Sequence, residues 1–142
     1  MVCCTGCYGL HPSATEQIAA QVREVKNIFP GTNFVVILEP DGKIVFEEVS
    51  AGIEQGFVGM VAALKRAALQ FGNTLGQKEC PVIHVKGSRN IFSYYDVGEH
   101  LLAFFTEMPG PMLEMFDTHA ADNSMGPVVQ NLMRLLTNAV TG

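Results

Sequence analysis

Apolar positions along the chain follow two rhythms, one of helices and one of strands. Ile18, Val22, Val25 and Phe29 recur at three- and four-residue steps, which predicts a helix with one apolar stripe over "SATEQIAAQVREVKNIF". Ser13 and Glu16 have the spacing of a capping box, Pro12 lies just outside it, and Pro30-Gly31 stops the helix. "NFVVILEPDGKIVFEEV" then predicts a hairpin turning at Pro40-Asp41-Gly42. Its first strand is apolar from Phe34 to Leu38 without a break, the pattern of a strand covered on both faces.

"GFVGMVAALKRAALQFG" predicts a second helix of unusual character. Phe57, Met60, Val61, Leu64, Leu69 and Phe71 combine with four alanines, and its charges are Lys65 and Arg66. A helix apolar nearly all round is buried on more than one side, and in a domain of this size one of those sides is expected to be another molecule. Three short strands follow, "CPVIHVK", "NIFSYY" and "HLLAFF", separated by the turn-like "GSR" and "DVGE". After a Met-rich connection, Pro127 opens a final helix carrying Val128, Val129, Leu132, Leu135, Leu136 and Val140. One antiparallel sheet with helices on both faces buries these elements economically.

At 142 residues the chain is the size of one domain, and 48% apolar with 16% charged residues places it among globular proteins. A net charge of −5, with Lys and Arg scattered, argues against nucleic-acid binding. No apolar run approaches the roughly 20 residues of a membrane-spanning helix. The N-terminal residues lack the pattern of a signal peptide, so reducing cytosol is the expected compartment.

The element order, with "VVILEPDGKIVFE" followed by an alanine-rich helix and a three-strand meander, resembles the roadblock family of dynein light-chain-like domains over roughly residues 13 to 140. The resemblance implies an α/β fold of order α-β-β-α-β-β-β-α, with a single five-stranded antiparallel sheet between helices on both faces. It further implies dimerisation through the middle helix and the neighbouring edge strand, about residues 56–71 and 80–86. The expected interface residues are Phe57, Met60, Val61, Leu64, Lys65, Ala68 and Phe71 on the helix, with Val82 and His84 on the strand. Family members scaffold or regulate small Ras-like GTPases, or link cargo as motor subunits. The sequence departs from the family between residues 106 and 124, where an inserted Met-rich loop is expected. Within it, Met108, Met112, Leu113, Met115 and Phe116 form a second candidate partner surface, or else a cover for the core.

Three of the four cysteines, Cys3, Cys4 and Cys7, fall in the first seven residues. A thioredoxin-type pair needs a strand and helix to tune its thiols, and the spacing matches no familiar zinc module. Residues 1–11 are therefore expected to be a flexible tail preceding a domain over 12–142. S-acylation at these cysteines, with peripheral membrane contact, is the functional alternative. His84 reads as a satisfied sheet or interface residue. "FDTHAADN" reads as a polar loop that caps the last helix, with neither calcium nor zinc spacing.

No nucleotide-binding glycine motif is present. The expected function is non-enzymatic, without metal or cofactor: a homodimer or paralogue heterodimer serving a small GTPase or a trafficking or motor complex. The alternatives are a longin-like membrane-trafficking module and a small-ligand sensor or enzyme using the histidines.

Overall fold

The computed structural model describes residues 3–7, 12–39, 43–50, 66 and 82–141. In chain order the elements are β1 (Cys3–Cys7), α1 (Pro12–Ile28), β2 (Thr32–Leu38), β3 (Ile44–Ser50), β4 (Val82–Lys86), β5 (Asn90–Val97), β6 (His100–Glu107), α2 (Gly110–Met115) and α3 (Thr118–Thr141). The strands form one sheet in the order β1-β3-β2-β6-β5-β4, and every pairing is antiparallel. The five strands expected from the sequence are β2 to β6. The sixth, β1, is added beside β3.

Alternation along β2 and β6 divides the core in two. Val35 and Ile37 join Leu102 and Phe104 on one face, where Ile18, Val22 and Val25 of α1, Phe29 just beyond it, and Met125, Val128, Leu132 and Leu136 of α3 cover them. Phe34, Val36 and Leu38 join Tyr94, Leu101 and Ala103 in a second cluster on the opposite face. No residue of β2 from Phe34 to Leu38 is more than 3% exposed. The helix expected over 56–71, and with it Phe57, Met60, Val61, Leu64, Lys65, Ala68 and Phe71, lies outside the described residues; Arg66, the described residue of that stretch, is helical.

Three expectations are corrected. First, residues 1–11 are not a flexible tail throughout, because Cys3–Cys7 pairs with β3, Cys3 opposite Ser50 and Cys7 opposite Phe46. The free edge of β3 offers backbone donors and acceptors that a short polar segment can satisfy without an apolar pattern of its own. Second, the last helix begins at Thr118 rather than Pro127. Asp117 caps it, its carboxylate accepting from the Ala120 N–H at 3.1 Å. Ala121 and Met125 continue the buried stripe toward the N-terminus, and this burial carries the helix through Pro127. Third, the expected loop over 106–124 is mostly helical, formed by α2 and the first turns of α3. In α1, Pro12 is the first helical residue, a position where its missing N–H costs nothing.

Beyond the apolar core, close contacts also hold the α1 side of the molecule to the sheet. Lys26 of α1 pairs with Glu48 of β3. Between α1 and β2, Gly31 has φ +99°, and a Cβ built there would lie 2.2 Å from the Glu107 carbonyl oxygen. Gly31→Ala meets both a left-handed backbone and a close approach of β6, so it should destabilise the chain by about 2 kcal/mol or more. Chemical denaturation measures this; a loss below about 0.5 kcal/mol would mean that the β2–β6 junction tolerates a side chain.

Candidate functional site

β4 is the terminal strand of the sheet among the described residues, so its outer edge carries backbone groups with no strand beside them. Pairing with β5 sets its parity: Val82 lies opposite Tyr95 and His84 opposite Ser93, while Ile83 lies opposite Tyr94 and Val85 opposite Phe92. Val82 therefore packs against the helix-covered core, and Ile83 and Phe92 pack against the cluster of the opposite face. Val85 is 50% exposed. Ile83, Val85 and Phe92 thus share the face away from α1 and α3, and Val85 is the exposed one of the three.

This parity places two of the expected interface residues, Val82 and His84. Both side chains turn inward to the helical layer, and the residues presented beside the edge are Ile83 and Val85. One-residue alternation in the sequence already puts Ile83 and Val85 on a common face.

The His84 ring is held from both ends. Asp122 Oδ1 of α3 accepts from the Tyr95 hydroxyl at 2.6 Å and lies 2.7 Å from His84 Nε2, while His84 Nδ1 lies 2.8 Å from Ser93 Oγ. With the proton on Nε2, the imidazole donates to Asp122 and accepts from Ser93, so each group finds a complementary partner. The ring also lies among Phe29 and Tyr95, at centroid distances of 6.0 and 5.7 Å. Burial and the Asp122 carboxylate together hold the Tyr95 phenol well above its usual pKa.

Serine, histidine and aspartate side by side are the groups of a hydrolytic relay, but Ser93 is 0% exposed and cannot meet a substrate. What the arrangement does is mechanical. It ties the edge strand β4, through β5, to the first turns of α3.

The Met-rich segment divides residue by residue. Met108 and Leu113 are buried with Ile91 in a satellite core, and Phe116 bridges it to the main core with its ring centroid 5.2 Å from that of Phe29. Met112 and Met115 are 51% and 85% exposed on α2. An open groove of about 560 Å³ lies nearby, lined by Arg89, Asn90, Glu107, Met108 and Pro109. Core cover thus explains three of the five candidates, and Met112 and Met115 remain as surface. Among the described residues, no His, Cys, Asp and Glu converge as a metal site, and no helix is long and apolar enough to cross a membrane.

The carboxylate of Asp122 serves two buried donors, so Asp122→Ala should cost about 1–3 kcal/mol and Tyr95→Phe less, about 0.5–1.5 kcal/mol. The raised Tyr95 pKa adds a sign. The folded state favours the protonated phenol, so the stability it contributes is complete below pH 10, the ordinary value, and is lost as pH rises beyond it. Denaturation at pH 8 and pH 11 should show a smaller alkaline loss in Tyr95→Phe than in the parent; equal losses would place the phenol outside this network.

Solved structures with the same architecture include MglB, a gliding protein of Thermus thermophilus, at TM-score 0.73 and 15% identity over 92% of this chain and 96% of that one. Myxococcus xanthus MglB matches at TM-score 0.70 and 13% identity over 86% of this chain and 96% of that one. A Roadblock/LC7 domain of Streptomyces avermitilis matches at TM-score 0.55 and 16% identity over 81% and 93%. No protein-family profile and no curated protein matches the sequence itself. The chain has the roadblock-type α/β fold, in its MglB-like form.

Proposed function

We propose that the chain is a non-catalytic scaffold or regulator that dimerises, with itself or a paralogue, and serves a small Ras-like GTPase or a complex built around one. The observation that supports the reading best is that β4 ends the sheet among the described residues, with the half-exposed Val85 beside Ile83 and Phe92, in a roadblock-type sheet. A terminal strand beside an exposed apolar side chain such as Val85 is a template for another strand, and a second copy would meet it with the same surface on both sides. The apolar segment 56–71 supplies the remaining contact in this reading. One of the matched structures is an MglB in a tetrameric arrangement, which supports association as a habit of the fold.

Regulation would then be surface presentation. Two sheets joined edge to edge offer a partner a composite platform that neither chain has alone. Met112 and Met115 on α2 lie apart from the β4 edge in sequence and extend the candidate contacts for that partner.

Sedimentation under reducing conditions should give twice the 15.4 kDa chain mass. Val61→Glu, Leu64→Glu and Val85→Glu should each shift the protein to monomer with its helix and strand content retained. Binding to small GTPases loaded with GDP or with a GTP analogue then tests the partner: retention of one loaded state by the dimer, and its loss in the monomeric variants, is the expected result. A dimer indifferent to all three substitutions would refute the interface.

A further inference from the structure

The sheet has a second edge. β1 is its other terminal strand among the described residues, and it carries the sequence Cys-Cys-Thr-Gly-Cys. Cys3, Thr5 and Cys7 occupy alternate register positions, opposite Ser50, Glu48 and Phe46 of β3. Cys4 and Gly6 occupy the positions between them. Cys3 and Cys7 are separated by roughly 13 Å along an extended strand, too far for a disulfide within one chain.

That spacing is symmetric about Thr5. If two copies of β1 pair antiparallel around a two-fold axis at Thr5, Cys3 of each copy lies opposite Cys7 of the other. Directly opposed residues in an antiparallel ladder have Cα atoms about 4.5 or 5.5 Å apart, and both distances lie within the span a disulfide bridges. Thr5 meets Thr5, a favourable cross-strand pair. Cys4 meets Gly6 and finds no thiol. We infer that the β1 edge is a redox-gated self-association surface, whose occupant is a second copy of this chain locked by two symmetric Cys3–Cys7 disulfides.

Charge does not oppose this pairing. Glu47 and Glu48 of the two copies would stand three strand spacings apart, ~14 Å, beyond the screening length of about 8 Å at physiological salt. Lys26 already pairs with Glu48. The chemistry needs a two-electron oxidant, and a hydroperoxide supplies it. One cysteine thiolate attacks the peroxide oxygen, giving a sulfenic acid and releasing the leaving oxygen as alcohol or water. The opposed thiolate then attacks the sulfenic sulfur, forming the S–S bond and releasing water. Two thiols are oxidised and one peroxide is reduced for each bridge. Thiol reductants reverse it, so the edge would close under oxidative conditions and reopen in reducing cytosol.

The test uses the full chain treated with hydrogen peroxide and read on denaturing, non-reducing gels, which report the covalent link whether or not the β4 edge also associates. The parent should give a covalent dimer that dithiothreitol dissolves. Cys3→Ser alone and Cys7→Ser alone should give almost none, because each leaves a thiol facing a hydroxyl at both ends. An equimolar mixture of the two variants, one of them labelled with ¹⁵N, should regain roughly half the parent yield, all of it between labelled and unlabelled chains. Cross-linking by either variant alone at the parent's level, or an unproductive mixture, would overturn the symmetric register. A disulfide formed within one chain between any of these cysteines would overturn the strand itself.

Discussion

Burial of the central strands on both faces is the constraint from which the rest of the structure follows. β2 and β6 each offer five consecutive apolar side chains, so neither face of the sheet can be left to water. On one face α1 and α3 meet this requirement with matching stripes, and Phe29, just past the end of α1, anchors the contact edge-on to Phe104 at 4.7 Å. The opposite face carries its own buried cluster around Tyr94 and Leu101. A sheet clad in this way resolves its faces, and its edges are its terminal strands among the described residues, β1 and β4. Association along β1 or β4, as proposed above, would complete those edges.

The polar network at Asp122 serves the same end by another means. Burying His84, Tyr95 and Ser93 beside a carboxylate is costly unless every donor finds an acceptor, and here they do. The reward is geometric. A terminal strand has one neighbour instead of two and would otherwise fray, whereas β4 is held also to the helical layer through His84. The early start of α3, with Asp117 as its cap, makes this possible, because a helix beginning at Pro127 would leave Asp122 in a loop.

Much of the fold was legible in the sequence, and the failures have physical causes. The stripe of α1, the apolar run of β2 and the three strands of the meander show in periodicity because each buries a regular face. β1 does not, since "CCTGC" pairs through its backbone and has no apolar alternation to betray it. Pro127 reads locally as a helix start, yet burial of Ala121 and Met125 outweighs the lost hydrogen bond. The methionines look alike in sequence, but Met108 points into a core and Met115 to solvent, a distinction set by the short helix α2. At the candidate site, strand β4 and the satisfied role of His84 were legible, but periodicity alone does not say which face of the strand meets a partner. One residue is the whole difference between the two faces of a strand.

Hydrogen exchange at Val82–Lys86, followed as the protein is diluted, tests the use of the β4 edge most directly. If that edge closes on a second strand, the outward-pointing amides of β4 will exchange at least about tenfold more slowly at concentrations where the protein is dimeric, while those of β5 and β6 stay unchanged. Exchange in β4 that is independent of concentration, across a range in which the measured mass doubles, would show that the chains associate elsewhere and would contradict the account.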